Sequence, residues 1–155
     1  MARFKTSLEK MLAANIRQMN KFVEYAEKEA LKSVEKDADK VVEIEKDRLY
    51  SGKTYTGESI TPDYAPRTVQ IKTLKGQPTD RVTTKDTGYF HSRLELQVSK
   101  SIVTFTSDDG VQIYLEKKYD NLMGLSEESK ELMISDIIKR VNPKLFKKLL
   151  QPRYL

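Results

Sequence analysis

The chain has 155 residues, enough for one domain, 1–155, with a core of its own. Apolar residues make up 38% and charged residues 33%, which is polar for a globular enzyme and suits a protein whose surface is partly buried by partners; the net charge of +5 comes from 28 basic and 23 acidic residues interspersed along the chain, a pattern of solvated helical faces more than of a nucleic-acid footprint. The absence of cysteine excludes disulfides and thiolate metal sites and fits a reducing cytoplasm, no apolar run approaches the roughly 20 residues of a membrane span, and Met1 to Lys5 carries no hydrophobic signal core.

Leu8, Leu12, Ile16, Met19, Val23, Ala26, Ala30, Val34, Ala38 and Val41 follow one another in three- and four-residue steps, with Leu49 two four-residue steps further on, the spacing of a single stripe on one long helix over 4–49. Neither Gly nor Pro interrupts it, and Glu, Lys and Ala fill the remainder. About 45 residues at 1.5 Å each span roughly 68 Å. The rest of the chain makes a body of only about 13–14 Å radius of gyration. The helix therefore either bends back or packs its amino-terminal half on another subunit. An exposed face of Phe4, Leu8, Leu12 and Ile16 favours the second, and these four are assigned to a subunit interface.

Residues 50–85 form a connector punctuated by Gly52, Gly57, Pro62, Pro66, Gly76 and Pro78. One short helix is predicted over 63–75, with Asp63 as cap, Pro66 in the first turn, Gly76 at the end, and Tyr64, Thr68, Ile71 and Leu74 on one face. Arg67, Lys72, Lys75 and Arg81 make the connector locally basic. They are candidates for contact with a neighbouring subunit or DNA, against the alternative of a solvated loop.

Gly88 allows a sharp turn, after which Tyr89 and Phe90 are apolar anchors ahead of an antiparallel meander within 86–116. Leu94, Leu96 and Val98 mark the first strand, Val103 and Phe105 the second, and Val111, Ile113 and Leu115 the third. Asp109-Gly110 is read as a tight hairpin, and Val82-Thr83-Thr84 as the source of a fourth strand. Residues 117–141 read as helical: a turn ends near Gly124, Ser126 caps a helix to about Arg140, and Asn142-Pro143 stops it. In the tail, 142–155, Leu145, Phe146 and Leu149 oppose Lys144, Lys147 and Lys148, a docking segment assigned to the subunit interface. The fold class is thus α+β, with a long amino-terminal helix and a carboxy-terminal helix packed on a small antiparallel meander of three to four strands.

No catalytic constellation emerges. His91 is the only histidine, which excludes a multi-histidine metal cluster, and its nearness in sequence to Ser92 and Asp86 does not make a triad. It reads as a structural residue at the entrance to the first strand. Asp108-Asp109-Gly110 lacks the remaining ligands of a calcium loop, and no phosphate-binding or dinucleotide fingerprint occurs. No catalytic residue, metal or cofactor is assigned.

Three stretches carry a wider likeness in their order and spacing: Thr61-Pro62-Asp63-Tyr64-Ala65-Pro66-Arg67-Thr68, then Lys72 with Lys75-Gly76-Gln77-Pro78, then Val82 through Asp86-Thr87-Gly88-Tyr89-Phe90-His91-Ser92. With them, residues 45–135 resemble the small virion-morphogenesis or tail-completion proteins of tailed bacteriophages, particularly of Bacteroidales phages. The resemblance implies a non-enzymatic head–tail connector assembled in the bacterial cytoplasm into the virion. It implies a homo-oligomeric ring, with portal, neck or tail proteins as partners and non-specific contact with phage DNA. The alternative from a different class is a basic nucleic-acid-binding accessory protein.

Overall fold

The computed structural model describes residues 2–99 and 102–150, with side chains described from Leu8 onward. Helix α1, Ala2–Tyr50, runs unbroken, as the continuous stripe predicts. Helix α2, Pro66–Leu74, lies in the connector, and α3, Tyr89–Ser92, is a single turn entered through Gly88 at φ 88°. Strands β1, Leu94–Ser99, and β2, Ile102–Ser107, pair antiparallel from Leu94 against Ser107 to Ser99 against Ile102. Helix α4, Val111–Lys118, and helix α5, Glu127–Leu149, complete the chain.

The sheet has two strands among the described residues, fewer than the three to four expected. The segment read as a third strand is α4. Its alternation of Val111, Ile113 and Leu115 matched a strand, but Val111 and Ile113 stay exposed and the local polar groups favour a helix. Asp109 Oδ1 accepts the Val111 N–H at 3.1 Å, and Gln112 Nε2 donates to Glu116 Oε1 one turn on. Gln112 Oε1 accepts the Ser107 N–H at 2.6 Å, so the residue that would have continued the ladder ends β2. Asp109-Gly110 is correspondingly a helix entry, with Gly110 at φ −56°, not a hairpin. Val82 and Thr83 are buried as expected of a strand, yet they stay irregular. The Thr83 backbone is satisfied by side chains: Tyr64 Oη accepts the Thr83 N–H at 2.8 Å, and His91 Nε2 donates to Thr83 O at 3.2 Å.

Two helix boundaries also move. The cap of α2 is Ala65, with no side-chain bond, so Asp63 does not cap it. Its far end is as expected: Gly76 is left-handed, with Gly76 N–H to Thr73 O and Gln77 N–H to Lys72 O. The face of Ile71 and Leu74 is exposed, Leu74 at 89%, and the buried residue of α2 is Lys72. Asn142-Pro143 does not end α5, which carries Pro143 inside it to Leu149. Tertiary contacts flank the proline on both sides and hold the helix across it: Val141 is buried, Arg140 binds Asp37, and Lys144 binds Glu29.

The core lies along the carboxy-terminal half of α1. One cluster joins Val42 and Leu49 to Ile60, Val82, Phe90, Leu94, Phe105, Tyr119 and Leu122. A second joins Val34, Val41 and Met133, with Leu96, Val98 and Val103 of the sheet packed on it. Helix α5 runs antiparallel to α1. Ser126 and Ser129 meet Glu45, Arg140 meets Asp37, Lys144 meets Glu29, and the Lys148 ammonium lies 4.8 Å from the centre of the Tyr25 ring.

Candidate assembly surface

Towards its amino terminus α1 runs clear of the core, and every residue from Leu8 to Lys21 is exposed. Leu8 is 53% exposed, Leu12 53%, Ile16 57% and Met19 68%, with Met11 and Val23 also open. Helical periodicity puts Leu8, Leu12, Ile16, Met19 and Val23 on the same stripe as Val34 and Val41, which the body covers. One continuous seam is therefore buried along its carboxy-terminal half and bare along its amino-terminal half. Complete burial of such a side chain stabilises by about 1.5–3 kcal/mol, so covering the bare half would be favourable. The Phe4 side chain, also assigned to this face, lies outside the described side chains.

The second interface candidate is the end of α5. Phe146 is 67% exposed and Leu149 41%, while Leu145 is half-buried; they form part of one helix with Ile134 and Ile138, also exposed, and not a separate tail. Gln151 to Leu155 lie outside the described residues.

The basic connector residues are not gathered into one surface. Arg67 is exposed on α2. Lys72 is 5% exposed and turned inward, donating to Gln77 Oε1 at 2.9 Å and to Lys85 O at 2.6 Å, with its ammonium 4.9 Å from the Tyr64 ring centre. In this arrangement it ties α2 to the following loop and presents no charge to a phosphate. Lys75 pairs with Asp86. Arg81 Nε donates to Tyr50 O at 3.1 Å, its Nη1 pairs with Asp80 at 2.8 Å, and its guanidinium lies over the Tyr50 ring.

An open cleft of about 770 Å3 lies beside α3, lined by Lys46, Tyr50, Lys85, Tyr89 and His91 among others. Its only histidine is committed to the fold. Nε2 faces Thr83 O, an acceptor only, and so carries the proton, with Thr84 Oγ1 at 3.0 Å. Burial pushes the His91 pKa below its ordinary 6.5, against the bond to Thr83 and with the help of Lys85 and Lys46. Ser92 Oγ donates to Tyr89 O at 2.7 Å. Neither a nucleophile–base pair nor a metal-holding cluster of acidic and histidine side chains forms here among the described residues. No helix of the described residues is long and apolar enough to cross a membrane.

Sequence reasoning missed the buried charges that fix α1 to α5. Glu45 is fully buried: Oε1 accepts from Ser126 N–H at 2.7 Å, Ser126 Oγ at 2.8 Å and Ser129 Oγ at 2.6 Å, and Oε2 accepts from Arg48 Nε. Arg140 holds Asp37 with two parallel bonds of 2.7 and 2.8 Å. Hydrogen bonds from Lys144 and Lys32 hold the Glu29 carboxyl down at about 2, from an ordinary 4.5. The signal was present as two complementary rows at four-residue spacing: Glu29, Ser33 and Asp37 on α1, and Arg140, Lys144 and Lys148 on α5. Comparison with protein-family models, with curated proteins and with solved structures finds no match.

Proposed function

We propose that this chain is a non-enzymatic structural protein of a tailed phage particle, at the head–tail junction or the upper end of the tail, acting there as a ring-forming connector or completion protein. The observation that carries the assembly part of this reading is the bare half of the α1 seam, where Leu8, Leu12, Ile16 and Met19 are more than half exposed. A domain that could cover this stripe with its own chain would gain stability by doing so. This one instead holds it clear of the body. The phage part rests on the order of the Thr61–Thr68, Lys72–Pro78 and Val82–Ser92 stretches. The exposed α5 residues Ile138, Phe146 and Leu149 supply a second surface, which a ring needs, since each copy must offer two different faces to its neighbours. Portal, neck or tail proteins are the partners this placement entails. Contact with packaged DNA has narrower support, because Lys72, Lys75 and Arg81 are engaged within the chain and Arg67 is left.

The test is loss and restoration of the protein in the phage or prophage that encodes it. Heads and tails should accumulate unjoined without it, and mass spectrometry should find the chain in purified complete particles. Normal particle yield without the protein, or its absence from purified particles, would refute the reading.

A further inference from the structure

We propose that the groove between α1 and α5 is a phosphate-binding site, walled by Lys32 and Lys36 of α1 and by Arg140 and Lys144 of α5. The site lies on the body, apart from the bare α1 stripe, and is independent of the phage reading.

These four cations border an open cavity of about 470 Å3, with Glu29 and Ser33 completing its lining. Two of them suffice for the carboxylates between the helices. Arg140 neutralises Asp37 through two parallel bonds, and Lys144 binds Glu29 Oε2. Lys32 adds a second cation to Glu29, at Oε1, and Lys36 makes no ion pair among the described residues. Four cations against two carboxylates, Glu29 and Asp37, leave a surplus of two positive charges in the groove. Nearby acids do not cancel it. Asp136 is matched by Lys139, and over residues 27–40 and 136–148 together, with Glu35 and Asp39 included, nine cations meet six carboxylates. Pairing also leaves donors over. An ammonium has three N–H groups, and the Lys32 and Lys144 side chains each give one to Glu29 while remaining 52% and 48% exposed. Ser33 Oγ is buried beside them and accepts from Arg140 at 3.5 Å, with no acceptor for its own proton among the described residues.

The arrangement calls for an anion of more than one charge. Lys28, Lys32, Lys36 and Lys40 follow one another at four-residue steps, which sets like charges side by side along α1 at a cost in helix stability. An anion lying among them reverses that cost. A carboxylate brings one negative charge. A phosphate monoester brings about 1.5 to 2 at pH 7, with three acceptor oxygens for donors arriving from two helices. Two successive phosphates of a nucleic-acid backbone bring the same charge. The cations are also placed in advance. Buried Asp37 holds Arg140, and buried Glu29 holds Lys32 and Lys144, so little side-chain freedom is left to lose on binding. Hydrogen bonds from these carboxylates push the Lys32 and Arg140 pKa above their ordinary values, which keeps both charged.

Binding to the full chain is measured with two probes: pyrophosphate in calorimetry, and a fluorescently labelled short DNA duplex in anisotropy titrations at several salt concentrations. Lys36→Glu is the informative variant, because Lys36 is exposed and its replacement breaks no ion pair, so the melting temperature should stay that of the wild type. It should weaken binding of whichever probe the wild type takes by at least about tenfold. For the duplex, Lys36→Ala should lower the slope of log affinity against log salt by about one. Arg67→Glu makes the same change in net charge on the exposed face of α2 and should weaken binding far less. Duplex binding without pyrophosphate binding assigns the groove to a nucleic-acid backbone. Pyrophosphate binding without the duplex assigns it to a free phosphate compound, and competition between the two assigns it to phosphate from either source. Binding of neither probe, equal losses in Lys36→Glu and Arg67→Glu, or displacement of the probe by polyglutamate at the same concentration of charge would overturn the proposal.

Discussion

Glu45 shows how one residue can hold two elements. Its carboxylate sits at the amino terminus of α5, where unpaired N–H groups and the helix dipole favour an anion, and it accepts three bonds there while Arg48 neutralises the other oxygen. Removing it strands buried donors and a buried guanidinium. Glu45→Ala should lower unfolding free energy by about 3–5 kcal/mol, and Glu45→Gln, which keeps one oxygen, by less; urea titration measures both. Two glycines make the opposite point about reading residues from type alone. Gly110 has ordinary helical angles and open space where a side chain would go, so Gly110→Val should change stability by no more than about 0.5–1 kcal/mol. Gly124 lies at φ +155°, and a Cβ there would come 2.6 Å from the Tyr55 ring. Gly124→Ala should cost about 1–3 kcal/mol, seen as a lower melting temperature in the same assay. Equal melting of the two variants would contradict this assignment of the turns.

At the scale of elements, the α1–α5 seam depends in part on the Glu29 carboxylate staying ionised. The folded Glu29 carboxyl titrates at about 2, below its ordinary 4.5, so its contribution is complete above 4.5 and is lost as pH falls from there towards 2. His91 acts in the same direction at higher pH: burial disfavours its charged form, so protonation from 6.5 downward also favours unfolding. The urea midpoint of the wild type should therefore fall in the acid range, and Glu29→Gln should flatten the part of the fall below pH 4.5. An unchanged slope would mean that Lys144 and Lys32 do not stabilise the carboxylate. The elements themselves were legible to different degrees. The long helix and the Ser126 cap could be read directly, because periodicity and capping are local properties. Helix α4 was not legible as such. Its apolar alternation matches a strand, and what decides is the placement of Asp109 and Gln112 against the end of β2. Pro143 likewise ends a helix by local rules, and α5 passes through it because Arg140 and Lys144 are held by residues more than a hundred positions away. Of the site, the apolar α1 stripe was visible in the sequence. The inward turn of Lys72 was not, since burial of a lysine depends on Gln77, Tyr64 and the Lys85 carbonyl meeting in space.

The molecule as a whole is a small body built on the carboxy-terminal half of a helix whose other half reaches out bare. The seam that organises the core continues into the exposed half, so in the proposed assembly folding and association use one stripe in two halves. Charges placed on the bare half should therefore separate the two processes. Leu8→Glu with Leu12→Glu puts carboxylates where a contact would bury them, at a cost of several kcal/mol each, yet both positions are already exposed in the single chain. Circular dichroism melting and sedimentation of the same preparation decide the matter. The account predicts a double variant that melts within a few degrees of the wild type and sediments as a monomer while the wild type associates. A variant that unfolds outright, or one that associates as the wild type does, would contradict it.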